Sequence, residues 1–172
     1  PADDITSMGL IGDYFNHKEG LGEVVVVSPD HGGTVRARNL ADILGAPVAI
    51  IDKRRPKPNV AVAMNLLGDV KDKTAILIDD MVDTAGTLVS GVEMLKKQGA
   101  KEVYAGCTHA VFSGPAMERL EKAPIKELVV LDTINLPPEK KLDKISVISV
   151  ADIFAAAIEN VYLDKPMSKI YD

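Results

Sequence analysis

Cys107 is the only cysteine of the chain, which therefore has no intrachain disulfide and no site built from several thiolates. That scarcity points to a reducing, cytoplasmic setting. No apolar run approaches the roughly 18 residues that cross a bilayer, and no charged-then-apolar leader opens the chain, so membrane and secreted classes are set aside. Aromatic residues make up only 4% and the formal net charge is −5, which argues against a nucleic-acid partner. His17, His31 and His109 are not paired with cysteine or carboxylate at zinc-binding spacing. Internal repeats and low-complexity tracts are absent. Pro1 stands where an initiator methionine would, so the chain reads as a processed, engineered or proteolysed piece.

Against these absences, 47% of the 172 residues are hydrophobic, enough to bury a core in one domain. Short β-branched runs alternate with helical patterns, the signature of βαβ units around a parallel sheet. Strands are expected near 23–27, 48–51, 74–78, 103–107 and 127–131, with a short one at 146–149. Helices are expected near 6–17, 34–44, 86–98, 115–120 and 150–161, with Gly45 and Gly99 as stop signals.

Three segments carry chemistry. Ile78-Asp79-Asp80-Met81-Val82-Asp83-Thr84-Ala85-Gly86-Thr87 begins where a strand ends and finishes where a helix begins, the position at which open α/β sheets bind ligands. Small residues from Thr84 to Thr87 let backbone N–H groups converge on an anion, and a helix N-terminus favours negative charge. Asp79 and Asp80 are acceptors suited to sugar hydroxyls or to hydrated Mg²⁺. Together these features describe a sugar phosphate; the plainer reading is a turn in which Asp83 or Thr84 caps the helix. No Gly-Lys-Ser/Thr follows, so a Walker-type loop is excluded. Ser28-Pro29-Asp30-His31-Gly32-Gly33-Thr34 is a second strand-to-helix turn, in which Gly32 and Gly33 admit close backbone approach and Asp30 is a candidate metal contact. The third segment, Lys53-Arg54-Arg55-Pro56-Lys57-Pro58-Asn59, reads as a mobile surface loop after a strand. It is either a solvated charge run or a cationic lid over phosphates. Cys107 is expected in the core, and His109 either packs or lines the site.

In order along nearly the whole chain, these segments resemble the ribose-phosphate pyrophosphokinase family. Val26 to Gly33 is similar to its pyrophosphate loop, Lys53-Arg54-Arg55-Pro56 to its catalytic flexible loop, and Asp79 to Thr87 to its ribose-5-phosphate loop. Cys107-Thr108-His109-Ala110-Val111-Phe112-Ser113-Gly114-Pro115-Ala116 matches a further family stretch. The acidic pair also suits the wider type I phosphoribosyltransferases, but Ala85 replaces the glycine more usual in base-using members. The resemblance implies an α/β domain of three layers around a parallel sheet, spanning 1–172 and similar to the second of two domains in the family.

The implied reaction moves a diphosphoryl group from ATP, with Mg²⁺, to the 1-hydroxyl of ribose 5-phosphate, giving phosphoribosyl diphosphate (PRPP) and AMP. On that resemblance, Lys53 and Arg55 neutralise charge on the transferred group, and Asp79 and Asp80 hold the ribose hydroxyls. Asp83, Thr84, Ala85, Gly86 and Thr87 hold the 5-phosphate. Asp30, His31, Gly32 and Gly33 surround the diphosphate, with Asp30 as the Mg²⁺ contact. A homo-oligomer is implied, a hexamer in the family. Two other readings stay open: a non-catalytic sugar-phosphate-binding subunit, and a base phosphoribosyltransferase.

Overall fold

The computed structural model describes residues 5–54 and 63–170. Seven strands form one sheet in the order β3-β2-β1-β4-β5-β6-β7: β1 (Val24–Ser28), β2 (Val48–Arg54), β3 (Ala63–Leu67), β4 (Thr74–Val82), β5 (Glu102–Ala110), β6 (Glu127–Leu131) and β7 (Ile145–Ile148). All neighbours run parallel except β2 and β3.

Burial on both faces explains the apolar runs. Successive strand side chains point to opposite faces. Val25, Val27, Ala75, Leu77, Val103 and Ala105 join one core cluster, and Val26, Ile76, Ile78 and Tyr104 join the other. Helices α3 (Gly86–Lys97) and α4 (Ala116–Lys122) cover the first face through Leu88, Val92, Leu95 and Leu120. Helices α1 (Met8–Asn16) and α2 (Thr34–Leu44) cover the second through Met8, Ile11, Phe15, Ala37 and Leu40, at helical spacing. The expected three-layer α/β architecture is therefore present. Helix α5 (Ala151–Tyr162) follows β7. Among the described residues, no helix is long and apolar enough to cross a membrane.

The strand order fixes where a ligand fits. From β1 the chain moves outward to β2 and β3, then returns to the other side of β1 and moves outward again from β4. The connections leaving β1 and β4 therefore diverge, α2 to one face and α3 to the other. A crevice opens at the carboxyl ends of these two strands, the topological switch point.

One expectation needs correction. Lys53 and Arg54, read as part of a surface loop, belong to β2, where the register pairs Lys53 with Met64 and Arg54 with Ala63. Antiparallel pairing with β3 supplies backbone partners that the apolar pattern of β2 alone does not reveal. Arg55 and the remainder of the basic segment up to residue 62 lie outside the described residues.

Two glycines make opposite predictions. Gly68 has φ +108°, and a Cβ there would lie 2.9 Å from Ala49 Cβ and 3.1 Å from Ala49 Cα. Gly9 lies in α1 with nothing within 4 Å of the equivalent position. In urea melts, Gly68→Ala should lose more than about 1 kcal/mol through backbone strain and clash. Gly9→Ala should gain about 0.5–1 kcal/mol through helix propensity and a less flexible unfolded chain.

Candidate sugar-phosphate site

The turn between β4 and α3 is built without a cap. Ala85, the residue preceding α3, has φ 60° and ψ 4°, the left-handed region, and no side chain caps the helix. The N–H groups of the first turn of α3 have no intrahelical acceptor. The capping reading of Asp83 and Thr84 is thus corrected. Asp83 is held elsewhere: its carboxylate accepts a hydrogen bond from Ser113 Oγ, and its carbonyl accepts one from Ser113 N at 3.0 Å. Arg119 on α4 donates from Nη1 to the Thr84 carbonyl at 2.9 Å. Two elements on one face of the sheet therefore prop the turn, which leaves Thr84 and Thr87 exposed and Ala85 buried.

Asp79 and Asp80 precede this turn on β4. Oδ1 of Asp79 accepts from the Asp80 N–H at 2.9 Å, and Oδ1 of Asp80 accepts from the Met81 N–H at 2.8 Å. Arg36, in the first turn of α2, bridges both carboxylates, with Nη1 3.4 Å from Asp79 Oδ1 and Nη2 3.0 Å from Asp80 Oδ2. Burial, reinforced by the Asp80 carboxylate, pushes Asp79 up to about 6 against the opposing pull of Arg36 and the Asp80 N–H. For Asp80, burial acts upward but is outweighed by the hydrogen bond with Asp79 and the charge of Arg36, so it is held below the ordinary carboxylate value.

Across the crevice, the turn after β1 folds onto itself. Ser28 Oγ donates to the Asp30 carbonyl at 2.6 Å, Asp30 Oδ1 accepts from Gly33 N at 3.1 Å, and Thr34 Oγ1 donates to the His31 carbonyl at 2.7 Å. A Cβ at Gly33 would come within 2.9 Å of Ser28 Oγ, so a larger residue there would push the Ser28 hydroxyl away from the Asp30 carbonyl. Asp30, His31 and Gly32 are exposed along the rim, and His31 Nε2 lies 3.1 Å from Oδ1 of the buried Asp52.

The two turns read from sequence thus face one crevice, and the carboxyl end of β2, carrying Lys53, lies on the same edge of the sheet as Asp30. Arg36, Asp52, Ser113 and Arg119 were not singled out by the sequence reading. Only Arg36 carried a local signal, three residues past Gly33 and hence in the first turn of a helix leaving a candidate anion turn. Cys107 is fully buried, and burial pushes its thiol up to about 12, as suits a core residue. His109 Nδ1 meets Thr133 Oγ1 at 2.9 Å, half-buried beyond these two turns.

The strain on Asp79 predicts a pH effect. Unfolding returns Asp79 to the ordinary value of 3.8, whereas the folded group titrates near 6. Between these values the folded state keeps a proton that the unfolded state has lost, so this contribution to stability falls as pH rises through the window. At about 1.4 kcal/mol per pH unit the ceiling is roughly 3 kcal/mol, reduced by water at the rim. Asp80, held low, titrates below this window. Asp79→Asn should therefore raise stability by about 1–2 kcal/mol at pH 7.5 and change little at pH 4. Thermal melts at both pH values check this; a less stable variant at pH 7.5 overturns it.

Residues 28–172 match the phosphoribosyl synthetase-associated domain. Ribose-phosphate pyrophosphokinase of Bacillus caldolyticus is 57% identical over 172 residues, an alignment that covers 100% of this chain and 54% of the relative. Its counterpart in Clostridium acetobutylicum is 55% identical over 172 residues, covering 99% and 54% respectively. This chain spans about half the length of these curated relatives. A crystal structure of phosphoribosylpyrophosphate synthetase from Mycobacterium smegmatis superposes with a TM-score of 0.85 at 36% identity, over 92% of this chain and 51% of that one. The APRTase from Giardia lamblia shares the fold alone, with a TM-score of 0.58 at 16% identity over 72% of this chain and 75% of its own. The family match over 28–172 and relatives more than half identical across the chain lead to one conclusion: the chain belongs to the phosphoribosyl synthetase-associated domain family.

Proposed function

We propose that this chain is the sugar-phosphate-binding half of a ribose-phosphate pyrophosphokinase, one phosphoribosyltransferase-like domain of a two-domain arrangement. The observation that carries the reading is the uncapped first turn of α3 behind left-handed Ala85, next to the Asp79–Asp80 pair at the switch point. Backbone N–H groups of 83–87, with the Thr84 and Thr87 hydroxyls, bind the 5-phosphate of ribose 5-phosphate. Asp79 and Asp80 accept hydrogen bonds from the ring hydroxyls, directing the 1-hydroxyl toward the turn after β1.

In that pose the 1-hydroxyl oxygen attacks the β-phosphorus of ATP in line. The bond from that phosphorus to the oxygen bridging the α- and β-phosphates breaks, AMP leaves, and the hydroxyl gives up its proton. The enzyme's contribution is orientation and charge stabilisation. Gly32 and Gly33 admit the diphosphate close to the backbone, beside His31, and Lys53 and Arg55 neutralise charge on the transferred group. Mg²⁺ suits such a site because it is held by one or two carboxylates together with substrate phosphates. Asp30 meets that need: Oδ1 is engaged by Gly33 N, and Oδ2 has no partner among the described residues. When bound, the ion neutralises phosphate charge.

The test is calorimetric titration with ribose 5-phosphate and PRPP, beside an assay of AMP release from ATP. The chain alone should bind both sugar phosphates and release little AMP, since it spans about half of its relatives. Asp80→Asn should weaken ribose 5-phosphate binding by roughly 10- to 150-fold, the loss expected of a charge-assisted hydrogen bond. Unchanged sugar affinity in that variant overturns the assignment, and efficient AMP release by the chain alone overturns its half-site character. Diphosphate release from PRPP on adding a nucleobase would transfer it to the base-using phosphoribosyltransferases.

A further inference from the structure

Arg36 reaches from one half of the crevice to the other. It rises from the first turn of α2, just after the β1 turn, and its guanidinium crosses to β4 to pair with both Asp79 and Asp80. The same Nη1 lies 3.5 Å from where a Cβ on Gly33 would sit, so the group lies against the glycine turn. Its side chain is only 25% exposed, which restricts the alternatives open to it. Two adjacent carboxylates without a cation repel each other and turn apart. A planar guanidinium with donors in a fixed fork holds two acceptors in a defined relation, which a lysine ammonium does not.

We propose that Arg36 is the positioning residue that sets sugar specificity: by bridging Asp79 and Asp80 it fixes the spacing at which the two carboxylates meet two neighbouring hydroxyls of a ribose. Each carboxylate uses Oδ1 on a backbone N–H of its own strand; the guanidinium adds a second donor at Asp79 Oδ1 and holds Asp80 Oδ2, which leaves Asp79 Oδ2 and the further lone pairs of Asp80 for hydroxyls. A site preorganised for two hydroxyls discriminates against a sugar that lacks one, because the missing hydroxyl forfeits a charge-assisted hydrogen bond to a carboxylate. The 5-phosphate is bound by the backbone of 83–87 and does not depend on this bridge. Arg36 thus acts through the aspartates, on the sugar and not on the phosphate.

This inference rests on the sugar-phosphate reading above, and three probes separate the two: ribose 5-phosphate, 2-deoxyribose 5-phosphate and inorganic phosphate, each titrated calorimetrically into the whole chain. The unaltered protein should prefer the ribose compound by more than roughly tenfold. In Arg36→Ala that preference should fall toward one, with inorganic phosphate bound as before; Arg36→Lys should recover only part of it. Loss of thermal stability with the preference intact shows a merely structural ion pair and overturns the inference. Equal losses for all three ligands in a variant that melts cooperatively overturn it as well. Should Arg36→Ala not fold, Arg36→Gln and Arg36→Lys carry the same comparison. Failure of the unaltered protein to bind ribose 5-phosphate overturns the sugar-phosphate reading itself, whereas intact binding with variant-independent preference overturns only the role of Arg36.

Discussion

The two central strands, β1 and β4, bury both faces, and the arrangement of every other element answers that demand. Val25, Val26, Val27, Ala75, Ile76, Leu77 and Ile78 are each 1% exposed or less. Apolar side chains on both sides of a sheet require helices on both sides, so the crossovers from β1 and β4 leave to opposite layers. The crevice between them is a by-product of that packing. At its rim the strands run out of apolar residues and the backbone turns, so polar groups gather where the sheet ends.

The polar chemistry of the rim is held in tension by the same architecture. Asp79 follows directly on Ile78, which is fully buried, and therefore sits at the boundary between core and water. Desolvation there opposes its charge, its neighbour Asp80 adds repulsion, and Arg36 relieves part of both. Sites that keep like charges together are often locally unfavourable for the free protein, and the surrounding fold holds them in place. The opposite wall of the crevice is relaxed by comparison: the β1 turn is held by hydrogen bonds within itself, through Ser28, Gly33 and Thr34.

How much of this was legible in the sequence depends on whether the controlling interaction is local. Helix α2 occupies 34–44 as expected because Gly45 ends it in a left-handed conformation, and β6 occupies 127–131 because its apolar run has clear polar flanks. Strands β4 and β5 extend beyond their apolar runs because their parallel ladder continues through Asp79↔Cys107 to Val82↔Ala110, a long-range pairing that polarity conceals. Strand β3 was missed for a similar reason: Ala63 to Leu67 contains alanine and asparagine, weak strand formers, and takes its conformation from β2. At the site, the two turns were readable as strand-to-helix transitions with small residues. The bridge from Arg36 to Asp79 spans 43 residues of sequence and exists only once the sheet has formed. The left-handed backbone at Ala85 carries no glycine to announce it.

The position of β1 in the sheet also governs the order of events as the protein acquires its shape. Its pairing with β4 joins Val24 to Thr74, across an interval that contains α2, β2 and β3. Closing so long an interval costs more chain entropy than joining β2 to β3, and parallel pairings of this kind form slowly. The segments on the β2 side can thus associate early while the crevice has no second wall. Both walls of the crevice are in place only when this least local strand pairing is complete.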